Sequence, residues 1–357
     1  MKPSRIDQLM AGYADGDAIS HEAALLRDIF RSWGFVSDIY APLKHVSPTL
    51  KADVKPLETY RPEPQDLCFH HYGIASPAAD LFASAPCRRI LIYHNITPAH
   101  YFKGYDDAVM QSLEIARYRL MDIVKTCDAV WAVSRFNAEE LKAVGAPKVE
   151  ILPLPFAKAP LDLPPQPEIL QQYRVRQTTV LCVGRIAPNK KVEDLIQAFA
   201  WYTKAINPYS RLLIVGSPRS APRYFTYLKI LVGDLDLPNV EFVGFASPAG
   251  LVAYYTVADL FVSTSEHEGY GLPLVEAMYR GVPVIARAIG GVPEATAGTG
   301  ILYDGLSAAE LAQLFHRVQS DDALRADVLE SQRRRIEEVL SRNLDQEVRT
   351  LLAGFLE

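Results

Sequence analysis

LFVSTSEHEGYGLPLVEAMYRGVPVIARAIGGVPE, residues 260–294, reads as strand, loop, helix and strand in succession. The apolar run LFVSTS gives way to the loop SEHEGYG. Pro273 is then placed as the first residue of a helix, where its fixed φ suits the first turn and its missing N–H is not needed. A second apolar run, PVIA (283–286), follows at once, and GILY (300–303) adds a third. Upstream, VLCVG (180–184), RLLIVG (211–216) and VEFVG (240–244) alternate with helical patterns such as KVEDLIQAFAWYTKA. The first half repeats the theme with FVSDIY (35–40), DLCFHH (66–71), RRILIYHN (88–95), AVWAVS (129–134) and VEILPL (149–154). Runs apolar on both faces, alternating with helices, predict parallel sheets covered by helices. The expected organisation is a first Rossmann-like domain over 1–160, a Pro-rich linker over 161–175 and a second Rossmann-like domain over 176–335. A C-terminal helix over 336–357 is expected to pack back toward the first domain. Ligands are then expected at the carboxyl ends of the strands, facing a central cleft.

At 357 residues with 49% hydrophobic and 22% charged side chains, the chain is long enough for two cores. A formal net charge of -5 argues against nucleic-acid binding. Cys68, Cys87, Cys127 and Cys182 are widely spread, without zinc-finger spacing, which fits a reduced, cytoplasmic protein. No stretch approaches the ~20 apolar residues of a membrane span. The eight histidines form no ligand-spaced cluster in the sequence.

The chemistry concentrates in two loops. In SEHEGYGLP, Gly269 and Gly271 let the backbone approach a ligand. The amides of Gly271 and Leu272 would present a helix N-terminus to an anion. Glu276, expected in the first turn, could accept the two hydroxyls of a ribose, and Glu268 could reach a sugar. Two glutamates at this separation are common by chance, so their setting carries the argument. In VGRIAPNKKVEDLIQAF (183–199), Arg185 and Lys190 emerge where a strand ends in Gly184. Two fixed cations beside a helix start are what a departing diphosphate requires.

These residues carry a resemblance. VGRIAPNKKVEDLIQAF, EHEGYGLPLVEAM and GGVPE together resemble the retaining glycosyltransferases of family 4, of the α/β GT-B fold. The resemblance implies that Arg185 and Lys190 hold phosphate, that Glu276 holds the ribose and that Glu268 lies near the transferred sugar. It implies that Gly269, Tyr270, Gly271 and Leu272 line the donor, and that VGFAS (243–247), including Gly244 and Phe245, meets the base. Lys191 stands where many members have glycine, and Tyr270 where phenylalanine is commoner. The family's Gly-Gly loop is matched by Asp15-Gly16-Asp17-Ala18, which leaves only Gly16 to admit the donor or acceptor. His94 matches a histidine that contacts the transferred sugar; His70 and His71 are weaker candidates, one of them expected to be structural.

GDAISHEAALLRDIFRSWGFVSDIYA, HHYGIASP and LIYHNITPAHYFKGYD resemble a bacterial subgroup that builds surface polysaccharides. The resemblance implies a metal-independent hexosyltransferase without a bound cofactor, with GDP-mannose the leading donor and a glycan or lipid-linked saccharide as acceptor. No carboxylate stands out as a nucleophile, so front-face transfer with retention is expected, the leaving phosphate taking the acceptor's proton. A sugar-nucleotide epimerase and a non-catalytic glycan-binding scaffold are the alternatives. Dehydrogenases and P-loop enzymes are disfavoured because no Gly-x-Gly-x-x-Gly follows a strand and no Walker loop occurs. Finally, residues 98–120 mix Tyr101, Phe102 and Tyr105 with Lys103, Arg117 and Arg119. That face suits peripheral contact with an anionic membrane, against the alternative of an ordinary amphipathic helix.

Overall fold

The computed structural model describes residues 3–146 and 148–357. The chain divides into two units. The first runs through His100 and adds Asp107–Pro155 and Asn343–Glu357; the second comprises Tyr101–Asp106 and Phe156–Arg342.

The first unit contains β1 (Ile6–Met10), β2 (Ile39–Ala41), β3 (Lys55–Pro56), β4 (Leu67–Tyr72), β5 (Arg88–Tyr93), β6 (Ala129–Ala132) and β7 (Val149–Ile151). They pair in parallel in the order β3-β2-β1-β4-β5-β6-β7. Helices cover both faces, so β1 and β4 are buried at every position, as crossover topology requires. The core of the unit stacks Phe30 on Phe69 at 5.3 Å and sets Phe69 edge-on to Trp131 at 5.2 Å.

The sequence pattern misses β1, because IDQLM carries Asp7 and Gln8 in its centre. Both are buried but satisfied. Asp7 pairs with Arg5 at 2.8 Å and accepts the amide of Asp38, although burial lifts its carboxyl to about 6. Gln8 donates to the carbonyl of Ala23 at 2.8 Å.

The second unit contains β8 (Thr178–Val183), β9 (Ser210–Val215), β10 (Val240–Gly244), β11 (Leu260–Ser263), β12 (Val284–Arg287) and β13 (Ile301–Tyr303), parallel in the order β10-β9-β8-β11-β12-β13. In each sheet the order reverses once, between β1 and β4 and between β8 and β11. Loops leaving such a switch point diverge to opposite faces and open a crevice. The fold, two Rossmann-like parallel-sheet units, is α/β.

Residues 161–175 do not run as an extended linker. They belong to the second unit, where Pro167–Gln172 is helical and the amide of Gln166 donates to Ala249 O at 3.1 Å. The C-terminal segment is not one helix: Asp322–Ser341, Leu344–Leu351 and Ala353–Leu356 follow one another. Asp322–Ser341 buries Ile336 and Val339 in the second unit. Leu344–Leu351, capped by Asn343, joins the first. There Trp33 Nε1 donates to Asp345 at 2.7 Å, the Arg349 guanidinium lies 4.3 Å from the Trp33 ring, and Arg88 donates to Phe355 O at 2.8 Å.

Candidate functional site

In the second unit, a cavity at the β8/β11 switch point is lined by Gly184, Arg185, Lys190, Thr264, Ser265, Glu268, Gly271 and Pro273, among others. Glycine packing shapes its rim. A Cβ on Gly216 would stand 1.8 Å from the carbonyl oxygen of Gly184, so the ends of β8 and β9 can approach only without a side chain there. The amide of Gly216 in turn donates to Gly244 O at 2.8 Å, which joins the end of β10 to the same row. Phe245, just beyond, is 63% exposed.

The loops after β8 and β11 are bonded to each other. Asn189 Nδ2 donates to His267 O at 3.2 Å, the amide of Glu266 to Asn189 O at 2.9 Å, and Thr264 Oγ1 to Lys191 O at 2.8 Å. On this base Lys190 Nζ lies 2.5 Å from Glu268 Oε1, which also accepts from Ser265 Oγ at 2.9 Å. Lys190 is therefore not a free surface cation: it is held in the cavity wall by its carboxylate. Arg185 is exposed and has no ion-pair partner among the described residues. Cys182, also in the wall, is pushed up to about 12 by burial, so it stays a thiol and is no nucleophile at neutral pH.

Lys191 adopts the left-handed conformation, φ 51°, a backbone that glycine takes up without strain. Its charge does not enter the cavity. Its ammonium lies 3.5 Å from Glu193 and 3.6 Å from Glu266, while Arg287 binds Glu266 at 2.9 Å and Asp194 at 2.7 Å.

The helix after β11 is Leu272–Tyr279, with Gly271 as N-cap at φ 97°. Pro273 is its second residue, not its first, so Glu276 lies in the second turn. The amides of Gly271 and Leu272 precede the hydrogen-bonded ladder and are the donors such a helix start offers. Glu276 accepts from Tyr255 Oη at 2.9 Å. Burial pushes its carboxyl above the usual range, and the Tyr255 hydroxyl partly offsets this. Tyr270 turns its ring inward, 5% exposed, with Arg335 beside its hydroxyl. Only its backbone is left for a donor. The loop 268–270 rests on Gly290 and Gly291: a Cβ on either would come within 2.2 Å of the carbonyl oxygen of Glu268 or Gly269.

In the first unit, Gly16 has φ 71° and begins the turn into helix Ala18–Ser32. Asp17 caps that helix, accepting from Ser20 N at 2.9 Å. A carboxylate thus occupies the place a phosphate takes at other helix starts. His70 and His71, adjacent on β4, point to opposite faces. His70 bonds Leu9 O through Nδ1 at 2.9 Å and packs on Phe82 at 5.3 Å; burial lowers it to about 4. That is a structural role. His71 turns instead toward His94, with Nδ1 and Nε2 3.0 Å apart, and Glu22 joins them. The expectation of no ligand-spaced histidine cluster is therefore corrected: three separate elements converge, which linear spacing could not reveal. His94 itself has a side chain 2% exposed, and burial holds it well below its usual range.

The aromatic and basic stretch 98–120 is divided between the two units. Tyr101–Asp106 belongs to the second unit. There Tyr105 packs edge-on against Tyr224 at 5.2 Å and Tyr101 lies 6.5 Å from the His267 ring. Phe102 is buried. Arg117 and Arg119 are paired with Glu140 and Asp80. Among the described residues, no helix is long and apolar enough to cross a membrane.

Comparison with known proteins fits this geometry. Residues 166–335 match the family model of the glycosyl transferases group 1. Over 215 residues the chain is 28% identical to a GDP-mannose-dependent alpha-(1-6)-phosphatidylinositol monomannoside mannosyltransferase of Mycobacterium tuberculosis, covering 56% of this chain and 54% of that protein. A D-inositol 3-phosphate glycosyltransferase of a Mycobacterium species is 38% identical over 136 residues, 36% of this chain and 29% of its own length. The chain thus spans about half the length, or less, of these relatives. Among solved structures, sucrose-phosphate synthase from Thermosynechococcus elongatus superposes with a TM-score of 0.72 at 22% identity, covering 98% of this chain and 100% of its own. Anabaena HepE in complex with UDP-glucose gives 0.76 at 18% identity, with 98% and 99% covered. These likenesses identify the fold as GT-B.

Proposed function

We propose that this chain, whose residues 166–335 match the model of the glycosyl transferases group 1, moves a hexosyl group from a nucleoside diphosphate sugar to a glycan or lipid-linked saccharide, with retained configuration. The observation that carries this reading is the convergence of Arg185, Lys190 and the helix start at Gly271 and Pro273 on one cavity. Charge builds on the diphosphate as the glycosidic bond breaks, and preorganised donors stabilise it without reorganising. Lys190, held by Glu268 before the donor arrives, passes to the phosphate when it binds. Glu268 is then released toward the sugar's hydroxyls.

A double displacement needs a carboxylate free to attack the anomeric carbon. The carboxylate in this cavity, Glu268, already shares one oxygen with Lys190 and Ser265. This supports front-face transfer, in which the leaving phosphate accepts the acceptor's proton. Arg185 and Lys190 supply the charge that divalent ions supply elsewhere. Mannose from GDP-mannose is the first donor to try, on the strength of the mannosyltransferase relative.

A thermal-shift screen over GDP-, UDP- and ADP-sugars tests this. A donor at ~100 times its Kd stabilises by about 2.7 kcal/mol, and GDP-mannose is expected to give the largest shift. Silence across the whole panel, with no release of nucleoside diphosphate, would overturn the proposed activity. In steady-state kinetics Glu276→Gln should raise KM for the donor more than it lowers kcat, the mark of lost ground-state binding. An unchanged KM would remove the ribose role.

A further inference from the structure

In the first unit, Glu22 Oε2, His71 Nδ1 and His94 Nε2 form a triangle with sides of 3.0, 3.3 and 3.4 Å. All three side chains are buried, at 0%, 0% and 2% exposure. They come from helix Ala18–Ser32, the end of β4 and the residue following β5, beside the β1/β4 switch point.

Two further facts turn this cluster from a packing accident into a built site. First, the lone pair of His71 is fixed. Gln8 Nε2 donates to Ala23 O, which orients its amide, so Gln8 Oε1 must accept from His71 Nε2 at 2.8 Å. The proton of neutral His71 is thereby on Nε2, and Nδ1 faces Glu22 and His94 unprotonated. A hydrogen bond that sets the tautomer of a ligating histidine is the outer support metal sites use. Second, the Glu22 carboxylate is fully buried, and neither of its oxygens has a hydrogen-bond partner of good geometry among the described residues. An uncompensated buried carboxylate is costly, and a cation at the centre of the triangle removes that cost.

We propose that Glu22, His71 and His94 bind one divalent transition-metal ion of the zinc type. Two imidazole nitrogens and one carboxylate oxygen suit zinc in chemistry. Their separations suit it in geometry, since metal–ligand distances of about 2.0–2.1 Å in a tetrahedron put neighbouring donors about 3.3 Å apart. On binding, the proton that His94 Nε2 otherwise donates to His71 Nδ1 moves to His94 Nδ1, so that neutral His94 ligates through Nε2. Three protein ligands leave a fourth position for a water or substrate oxygen. The site ties helix Ala18–Ser32 to the ends of β4 and β5. It involves none of the residues assigned to the diphosphate, so it stands or falls independently of that reading.

The test loads purified protein with Zn2+, removes loose metal by gel filtration, and measures zinc by plasma emission. One ion per chain is expected, and Glu22→Gln and His94→Ala should each retain less than about a tenth of that. Co2+ in place of Zn2+ should give the intense visible bands of a tetrahedral site in the wild type alone. Because either substitution could disturb folding, 15N spectra of the wild-type histidines provide a second readout. Zn2+ should shift His71 Nδ1 and His94 Nε2 and leave the His70 nitrogens in place. No retained zinc and no imidazole shift in the wild type would show a metal-free imidazole–carboxylate cluster and overturn the proposal. Full retention of zinc by folded Glu22→Gln and His94→Ala proteins would do the same.

Discussion

Arg185→Ala is expected to lower transfer turnover by roughly 10²- to 10³-fold, the scale of losing one preorganised charge at a developing anion, while leaving the unfolding midpoint where it was. The side chain is exposed and has no ion-pair partner among the described residues, so its removal strands no buried group. Lys190→Ala should cost turnover on the same scale, but its structural consequences differ. Glu268 loses the ammonium 2.5 Å away and keeps only the Ser265 hydroxyl. A half-buried carboxylate then sits in the cavity uncompensated and repels the incoming phosphates. The lysine variant should therefore also raise KM for the donor, and the double variant Lys190→Ala, Glu268→Gln should recover part of that affinity. Steady-state kinetics with circular dichroism melts measure both effects. Near-wild-type turnover in both single variants would remove these cations from the chemistry.

The other large effect is steric. Gly291 has an ordinary helical backbone, φ -81°, so alanine there carries no conformational strain. Its new Cβ, however, would stand 2.2 Å from Gly269 O and 2.9 Å from the Cα of Tyr270. Backbone cannot yield as a flexible side chain can, so the loop 268–270 must move. Overpacking of this kind costs about 1–3 kcal/mol, and a displacement near 1 Å of a positioning group costs on the order of 10²-fold in rate. Gly291→Ala is thus expected to lose activity far beyond its loss of stability. Gly298→Ala, where no atom lies within 4 Å of the new Cβ but φ is 72°, serves as the control: it should lose stability through strain while keeping the specific activity of its folded fraction. Equal specific activity for the two folded variants would contradict the account.

Much of this architecture was legible in the chain. The strand–loop–helix–strand reading of residues 260–294 held because the two apolar runs are short, β-branched and punctuated by glycine and proline. What escaped had physical causes. The polar centre of β1 hides its strand character, because Asp7 and Gln8 are satisfied by partners 31 and 15 residues away. Ser265, which shares Glu268 with Lys190, was passed over, although the Ser-Thr-Ser at the end of β11 marked a strand end rich in hydroxyls. The Glu22–His71–His94 convergence needs the parallel register of β4 with β5, which sets His71 opposite Ile92, and no linear spacing encodes that. The aromatic stretch around Tyr101 is ambiguous for a related reason. Tyrosines that suit a membrane interface equally suit packing on Tyr224 and Tyr227.

The central claim is that the cavity between Gly184 and Pro273 recognises the second phosphate of a nucleoside diphosphate. Calorimetric titration of the diphosphate and the monophosphate of the preferred nucleoside, into the wild type and into Arg185→Ala, tests it most directly. The account predicts that the wild type prefers the diphosphate by about 1.5–3 kcal/mol, the range of charge-assisted hydrogen bonds, and that the variant loses most of this preference while binding the monophosphate as before. A preference that survives unchanged in the variant, or a wild type indifferent to the second phosphate, would contradict it.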